Sequence, residues 1–405
     1  MEIAKHFVPG LADITRQALA VESDAKVKDV VDIFQRDSSL LALPVVRDGL
    51  FIGAVNRKEL FSEHLGRPFA MDLFGKKPID VLLDGRESSV AADLDINAAL
   101  ERLLVIDPKL EIDAVPVVRD EQCVGILPVA DLMMKISSNQ AMLLETLNRL
   151  SERIREEVAT ASRIQHDLLP APEFSFKGVT LSAGVTTSTE IGGDFYDYFV
   201  LGEHRLGLVI ADVSGHGVQS GMVTTAAKAS LHTLISQGAE TPAELLFGMN
   251  NAILATARQT LLMTCLVMVL DLEGGTLTMA NAGHNFPYLC RQGIPEISML
   301  DACSGYPLGF ESDGRYHEFT TAFGRGDTLL LYTDGLVECV DAEDEEFGYE
   351  RLETLLAENA RHAPSSLRGT LLANARQFTG DDPFTDDVTI LVASFGGEND
   401  RGGVH

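Results

Sequence analysis

The segment Leu43-Pro-Val-Val-Arg-Asp48, followed by Gly53, returns as Val115-Pro-Val-Val-Arg-Asp120, followed by Gly125. An internal repeat of this kind commits the first part of the chain to two similar modules, because a small unit buries its apolar face best by stacking on a second copy. An amphipathic helix pattern precedes each copy, Val27 to Phe34 and Ile96 to Leu104. A second short helix pattern follows each, near Lys58 to His64 and Val129 to Lys135. Strand, turn, strand and helix, twice over, predicts two modules packed against each other.

From Asn139 to Leu169 neither glycine nor proline interrupts the chain, and helix formers dominate. Leu147, Leu150 and Ile154 are followed, each after eleven residues, by Val158, Ala161 and Gln165. Spacings of three, four and four draw one apolar stripe that departs from a strict heptad. Flanking Glu152, Arg153, Arg155, Glu156 and Glu157 leave little else apolar, so the expectation is a coiled coil joining two copies. The alternative is an amphipathic helix lying on its own domain. Leu169-Pro170-Ala-Pro172 ends the helix.

Beyond Pro172 the β-like runs are 179–185, 195–201, 206–213, 261–272, 276–281, 327–332 and 388–393. Helical patterns at 219–236, 242–258, 349–358 and 365–378 lie between them. Strands in pairs with long helices inserted suit two sheets sandwiched by helices. The whole is an α+β multidomain chain, with a repeat module over 8–137, a helical linker over 138–170, the sandwich over 177–395 and a flexible tail over 396–405.

A net charge of −28 and the lack of any basic stripe exclude nucleic acid as the main partner and disfavour anionic membrane surfaces. The five cysteines are scattered, odd in number and without a C-x-x-C pair, which points to free thiols in a reducing cytoplasm. No signal-peptide core follows Met1, and the longest apolar run, around Cys265 to Leu270, is too short to span a bilayer.

Five acidic motifs stand in order across the sandwich: Glu190-Ile-Gly-Gly-Asp194-Phe-Tyr-Asp197, Ala211-Asp212-Val-Ser-Gly-His-Gly217, Asn281-Ala-Gly-His-Asn285, Tyr332-Thr-Asp-Gly335 and Thr385-Asp-Asp-Val-Thr389. Four of the five put aspartate beside glycine or at the edge of an apolar run, where a strand hands over to a loop. Carboxylates converging from strand ends make an all-oxygen site suited to Mg²⁺ or Mn²⁺ and not to zinc. Two such ions can clamp a phosphate and hold a hydroxide to attack it, which predicts a metal-dependent phosphoester hydrolase. Asp212 ends the buried run Leu208-Val-Ile-Ala-Asp, where an ionised carboxylate is costly unless a cation or several donors meet it. Capping of the helix that follows is the competing role.

The ordered set resembles the bacterial SpoIIE/RsbU branch of the PPM serine/threonine phosphatases, over about residues 177 to 394. The resemblance implies an αββα sandwich and two Mn²⁺ or Mg²⁺ ions. Asp212 would bridge both ions, helped by the main-chain carbonyl of Val213, with Asp194, Asp334 and Asp386 completing the ligands. Asp387 would support them by hydrogen bonding, as would Asp197, and His216 and His284 would have structural roles. The implied substrate is a phosphorylated regulator of the STAS anti-anti-sigma kind, in partner-switching signalling. No Cys-x₅-Arg loop is present, which removes tyrosine-phosphatase chemistry.

The repeat in turn resembles a tandem pair of cystathionine-β-synthase (CBS) domains with βαββα-type modules. In that family the cleft between modules often takes an adenine nucleotide, and Glu59 and Asp131 stand where acidic ribose contacts would lie. Helix capping by the same two residues is the alternative. The resemblance implies a sensor, with a homodimer formed through the CBS pair and the linker helix. A catalytically inactive phosphatase-like scaffold carrying a nucleotide sensor is the competing function class.

Overall fold

A computed structural model describes residues 10–83, 88–215, 217–257, 260–294, 297–380 and 382–396. The chain divides into two compact units, residues 1–151 and 152–405. None of the described helices is long and apolar enough to cross a membrane.

In the first unit each repeat builds one three-stranded sheet. Val21–Glu22, Ala42–Arg47 and Leu50–Asn56 form the first, and Val90–Ala91, Ala114–Arg119 and Gln122–Pro128 the second. Both sheets pair their first two strands parallel and their last two antiparallel, with a bulge at the same place, Val45/Val46 and Val117/Val118. The hairpin turns need left-handed backbone at both central residues. Asp48 and Gly49 supply it in the first copy and Asp120 and Glu121 in the second, so the later turn keeps its shape without the glycine. Helices Val27–Arg36 and Ile96–Ile106 cover the sheets, the latter capped by Asp95, whose carboxylate accepts from Ala98 N at 2.8 Å. Ala42, Ala114 and Ile126 make a small shared core, the two alanines being equivalent residues of the two copies.

The helix after the second module is longer than its sequence pattern suggests. The patterns at Val129 to Lys135 and Asn139 to Leu169 join into one helix, Val129–Leu168, because nothing at Ile136-Ser137-Ser138 stops it. Met142, Leu143, Leu147, Leu150 and Ile154 are exposed on it. One repeat further along, Val158, Ala161 and Gln165 are half-buried against the second unit.

The second unit is two antiparallel sheets face to face with helices outside. One sheet runs in the order Glu318–Ala322, Thr276–Ala282, Met263–Asp271, Arg205–Val213, Phe195–Val200. The other runs Ile297–Met299, Tyr288–Cys290, Thr328–Tyr332, Val388–Phe395, Val179–Thr186, Glu173–Phe176. Alternation along each strand assigns its faces. Val209, Ala211 and Val213 point to helices Val218–Ser236 and Pro242–Ala257. Leu206, Leu208 and Ile210 point to the other sheet, where they meet Leu181, Ala183, Leu329, Leu331 and Leu391. Helices Gly348–Asn359 and Pro364–Phe378 close the far side through Leu352, Leu356, Leu367 and Leu371.

Candidate active site

The apolar rows between the sheets end in polar side chains at one edge of the sandwich. The row Leu206, Leu208, Ile210 continues to Asp212, and the facing row Leu329, Leu331 continues to Thr333, one residue before Asp334. The row Leu391, Ala393 extends backwards to Thr389 and Asp387. Strict alternation therefore carries these groups from separate strands to one place.

Asp194 is held most tightly. Its side chain is buried, and one oxygen, Oδ2, accepts hydrogen bonds from Thr333 Oγ1 at 2.8 Å and Thr389 Oγ1 at 2.5 Å. Thr333 Oγ1 also accepts from Thr389 N at 2.8 Å, so the two hydroxyls are themselves fixed. The other oxygen, Oδ1, is buried without a hydrogen-bond partner. Burial and then the Asp212 charge push the Asp194 carboxyl well above the usual carboxylate range.

Asp212 is driven up to about 7 by burial, then by Asp334 and Asp386. Asp334 is raised by burial and by Asp386. Like charges at this spacing disfavour ionisation unless a cation answers them. The orphaned Asp194 oxygen and this mutual repulsion fit divalent cations bound through oxygen. Among the described residues no group of three or more His, Cys, Asp or Glu closes on a single point.

The loop carrying Asp194 is pinned from the last strand. Asp387 Oδ2 accepts from Gly193 N at 2.6 Å, and its Oδ1 accepts from Ser188 N at 2.7 Å. A Cβ on Gly193 would lie 2.8 Å from the Val213 carbonyl oxygen, and one on Gly335 only 2.2 Å from the Asp387 carbonyl oxygen. The glycines of both motifs are thus required by close backbone approach. Asp387 supports the loop, while Asp386 is exposed at the rim, with Oδ1 accepting from Asp387 N at 2.7 Å.

Asp197 lies off the site. Its Oδ2 contacts His232 Nε2 at 2.7 Å and Lys228 Nζ at 3.0 Å, which ties the Phe195–Val200 strand to the helix Val218–Ser236. His284 is buried, with Nδ1 2.8 Å from Thr264 Oγ1, and burial lowers it to about 4, so it is neutral. His216 lies outside the described residues. Sequence reasoning missed Thr333, Thr389, Ser188 and Gln165. Thr333 and Thr389 could have been found, since both stand inside the acidic motifs.

In the CBS pair the two acids have different surroundings. A cavity of about 270 Å³ between the modules is lined by Glu59 together with Asn56, Lys58, Glu63, Asp107, Glu111 and Asp113. Asp131 is not among its lining residues; it pairs with Arg16, whose Nη2 and Nε lie 2.7 and 2.9 Å from Oδ2. The repeat places the two acids equivalently in sequence, and Arg16 pairs with the one in the second copy.

The family model described as stage II sporulation protein E matches residues 202–396, and the CBS domain model matches residues 11–66 and 80–138. The chain carries a SpoIIE-type PPM phosphatase domain behind a tandem pair of CBS domains. The matched SpoIIE stretch contains Asp212, Asp334 and Asp386, while Asp194 lies just before it. The chain is similar to the phosphoserine phosphatase RsbU of Bacillus subtilis, 25% identical over 195 residues, 48% of this chain and 57% of the relative. It is also similar to the phosphoserine phosphatase RsbP of the same organism, 27% identical over 187 residues, 45% of this chain and 46% of the relative. The chain spans about half the length of these curated relatives. Among solved structures, the SiaA-PP2C domain of Pseudomonas aeruginosa superposes with a TM-score of 0.53 at 24% identity, covering 61% of this chain and 98% of that domain. The SpoIIE-type domain therefore has the PP2C fold.

Proposed function

We propose that the protein is a Mn²⁺- or Mg²⁺-dependent protein serine/threonine phosphatase acting on a phosphorylated regulatory protein. The observation that carries this reading is the convergence of Asp194, Asp212, Asp334 and Asp386 at one sheet edge, with a buried Asp194 oxygen left unpartnered. Those four carboxylates and the Val213 carbonyl would hold the ions, which supply charge neutralisation and activation of water toward phosphorus. Thr333 and Thr389 orient Asp194, Asp387 fixes its loop, and the exposed rim at Asp386 admits a phosphorylated side chain. Both curated relatives are named phosphoserine phosphatases, which supports the same substrate chemistry here.

In this reading the CBS pair is a sensor and the helix Val129–Leu168 transmits its state. The exposed row Leu147, Leu150 and Ile154 supports a homodimer through the first part of that helix. The described lining of the CBS cavity, five carboxylates against Lys58, weighs against a phosphate-bearing nucleotide beside Glu59. Five free cysteines suit a cytoplasmic location. The test is hydrolysis of a phosphoserine protein and of a phenyl phosphate ester with and without Mn²⁺. Wild-type turnover that survives both chelation and Asp212→Asn would end the proposal, and no turnover under any condition would favour a scaffold.

A further inference from the structure

His284 is a buried neutral imidazole for which metal coordination through oxygen has no use. Its place is nonetheless specific. Its own backbone is clamped by Asn281, whose Oδ1 accepts from His284 N at 2.7 Å and whose Nδ2 donates to His284 O at 2.9 Å. The ring then reaches Thr264 Oγ1 through Nδ1. Thr264 is the cross-strand partner of Asp212, and paired residues on antiparallel strands present their side chains on the same face.

On its other side the ring interacts with the main-chain carbonyl of Tyr332, yet Nε2 completes no hydrogen bond. Tyr332 belongs to the opposite sheet, two residues before Asp334. The hydrogen bond between the ring Nδ1 and the Thr264 hydroxyl fixes the Thr264 rotamer on the face it shares with Asp212. One ring thus spans the strand that faces Asp212 and the strand that delivers Asp334.

We propose that His284 is a positioning residue that sets the separation of the Asp212 and Asp334 sides of the site through Thr264 and the Tyr332 main chain. The inference rests on the reading that these carboxylates hold divalent cations. Groups that orient ligands from behind typically change metal affinity by about 10- to 100-fold when removed.

The test is Mn²⁺ binding to the full chain by isothermal titration calorimetry, with thermal unfolding of the metal-free protein alongside. His284→Leu should weaken Mn²⁺ binding about ten-fold or more and leave the metal-free midpoint near that of wild type. His284→Asn, which keeps a polar atom at the Nδ1 position, should recover most of the loss. Thr264→Val should reproduce the loss, and the double variant His284→Leu/Thr264→Val should bind no more weakly than the weaker single. Wild-type affinity in His284→Leu, or additive losses in the double variant, would overturn the inference while leaving the cation site standing. If His284→Leu fails to fold, Thr264→Val decides, and unchanged affinity there overturns it. No Mn²⁺ binding by wild type would remove both this inference and the function it rests on.

Discussion

Gln165, near the end of the long helix, grips the main chain of Gly192 from both sides. Its Nε2 donates to Gly192 O at 2.7 Å, and Gly192 N donates back to Oε1 at 3.2 Å. Gly192 is two residues from Asp194, so the helix that leaves the CBS pair ends in direct contact with the loop that presents Asp194. A cavity of about 280 Å³ beside this contact, bordered by Arg163, Leu168, Glu190, Asp194 and Lys228, leaves room for the helix end to shift.

Replacing Gln165 by Leu should therefore loosen the Asp194 loop. Two neutral hydrogen bonds are worth about 1 kcal/mol each, so about 2 kcal/mol and roughly a 30-fold rise in the Mn²⁺ concentration for half-maximal activity are expected. A metal titration of the variant reads this directly, and an unchanged curve would show that the contact carries no control.

Asp212→Asn and Asp334→Asn should each abolish turnover by about two orders of magnitude or more while the metal-free fold becomes slightly more stable, because one like charge leaves a crowded group. Thermal unfolding without metal checks the second half. A drop in the melting midpoint would mean that the carboxylates support the fold and not a cation.

The pH dependence has a definite sign. The Asp212 carboxyl, ordinarily near 3.8, is raised to about 7 in the folded chain. Between those values the folded protein holds a proton that the unfolded chain has lost. Metal-free stability from this group is therefore fully present below 3.8 and is lost as pH rises through about 7. Cation binding needs the ionised form and should strengthen over the same interval. Melting curves from about pH 5.5 to about pH 8 should show the metal-free midpoint falling while the gain on adding Mn²⁺ grows. A flat gain would contradict the assignment of Asp212.

Asp387→Ala should destabilise the domain as well as inactivate it. Its carboxylate accepts from Gly193 N and Ser188 N, and removing a charged acceptor from buried donors costs on the order of 2 to 4 kcal/mol. Urea unfolding of the variant, compared with Asp386→Ala, separates the roles, since the exposed Asp386 should cost activity without comparable stability.

Changing Leu147 and Ile154 together to Asp should give monomers if the exposed part of the helix is a dimer seam. Unpaired charge in such a seam costs several kcal/mol, on the order of 3 to 5. Light scattering that still shows dimers would move the interface to the CBS pair.

Much of this was readable from alternation and repetition. Leu208-Val-Ile-Ala-Asp212 was legible as a buried run ending in aspartate, and Leu208 and Ile210 lie in the core between the sheets. The doubled Pro-Val-Val-Arg-Asp motif gives two modules with the same bulge. The short strands Glu173–Phe176, Tyr288–Cys290 and Ile297–Met299 were not legible, because three or four residues carry too little period and their partners lie far along the chain. The pairing of Asp131 with Arg16 was not legible for a similar reason, since Arg16 sits 115 positions away in a segment without pattern. Gln165 was read as one more position of a seam. The stripe continues to it, but the second unit, and not a second helix, covers that turn.

The dependence of the Gly193–Asp194 loop on Asp387, 194 positions further on, also governs when the site can exist. During synthesis the CBS modules and the long helix leave the ribosome first and can fold while the sandwich is still incomplete. The strand Val388–Phe395 lies between two others in its sheet, and Thr389 from that strand supplies one of the two hydroxyls on Asp194. A nascent chain, or one cut short by a premature stop codon before this strand, would present a complete CBS pair beside an unfinished sandwich. Errors in translation would then yield copies without an assembled Asp194 site, a consequence of the order in which the strands are made.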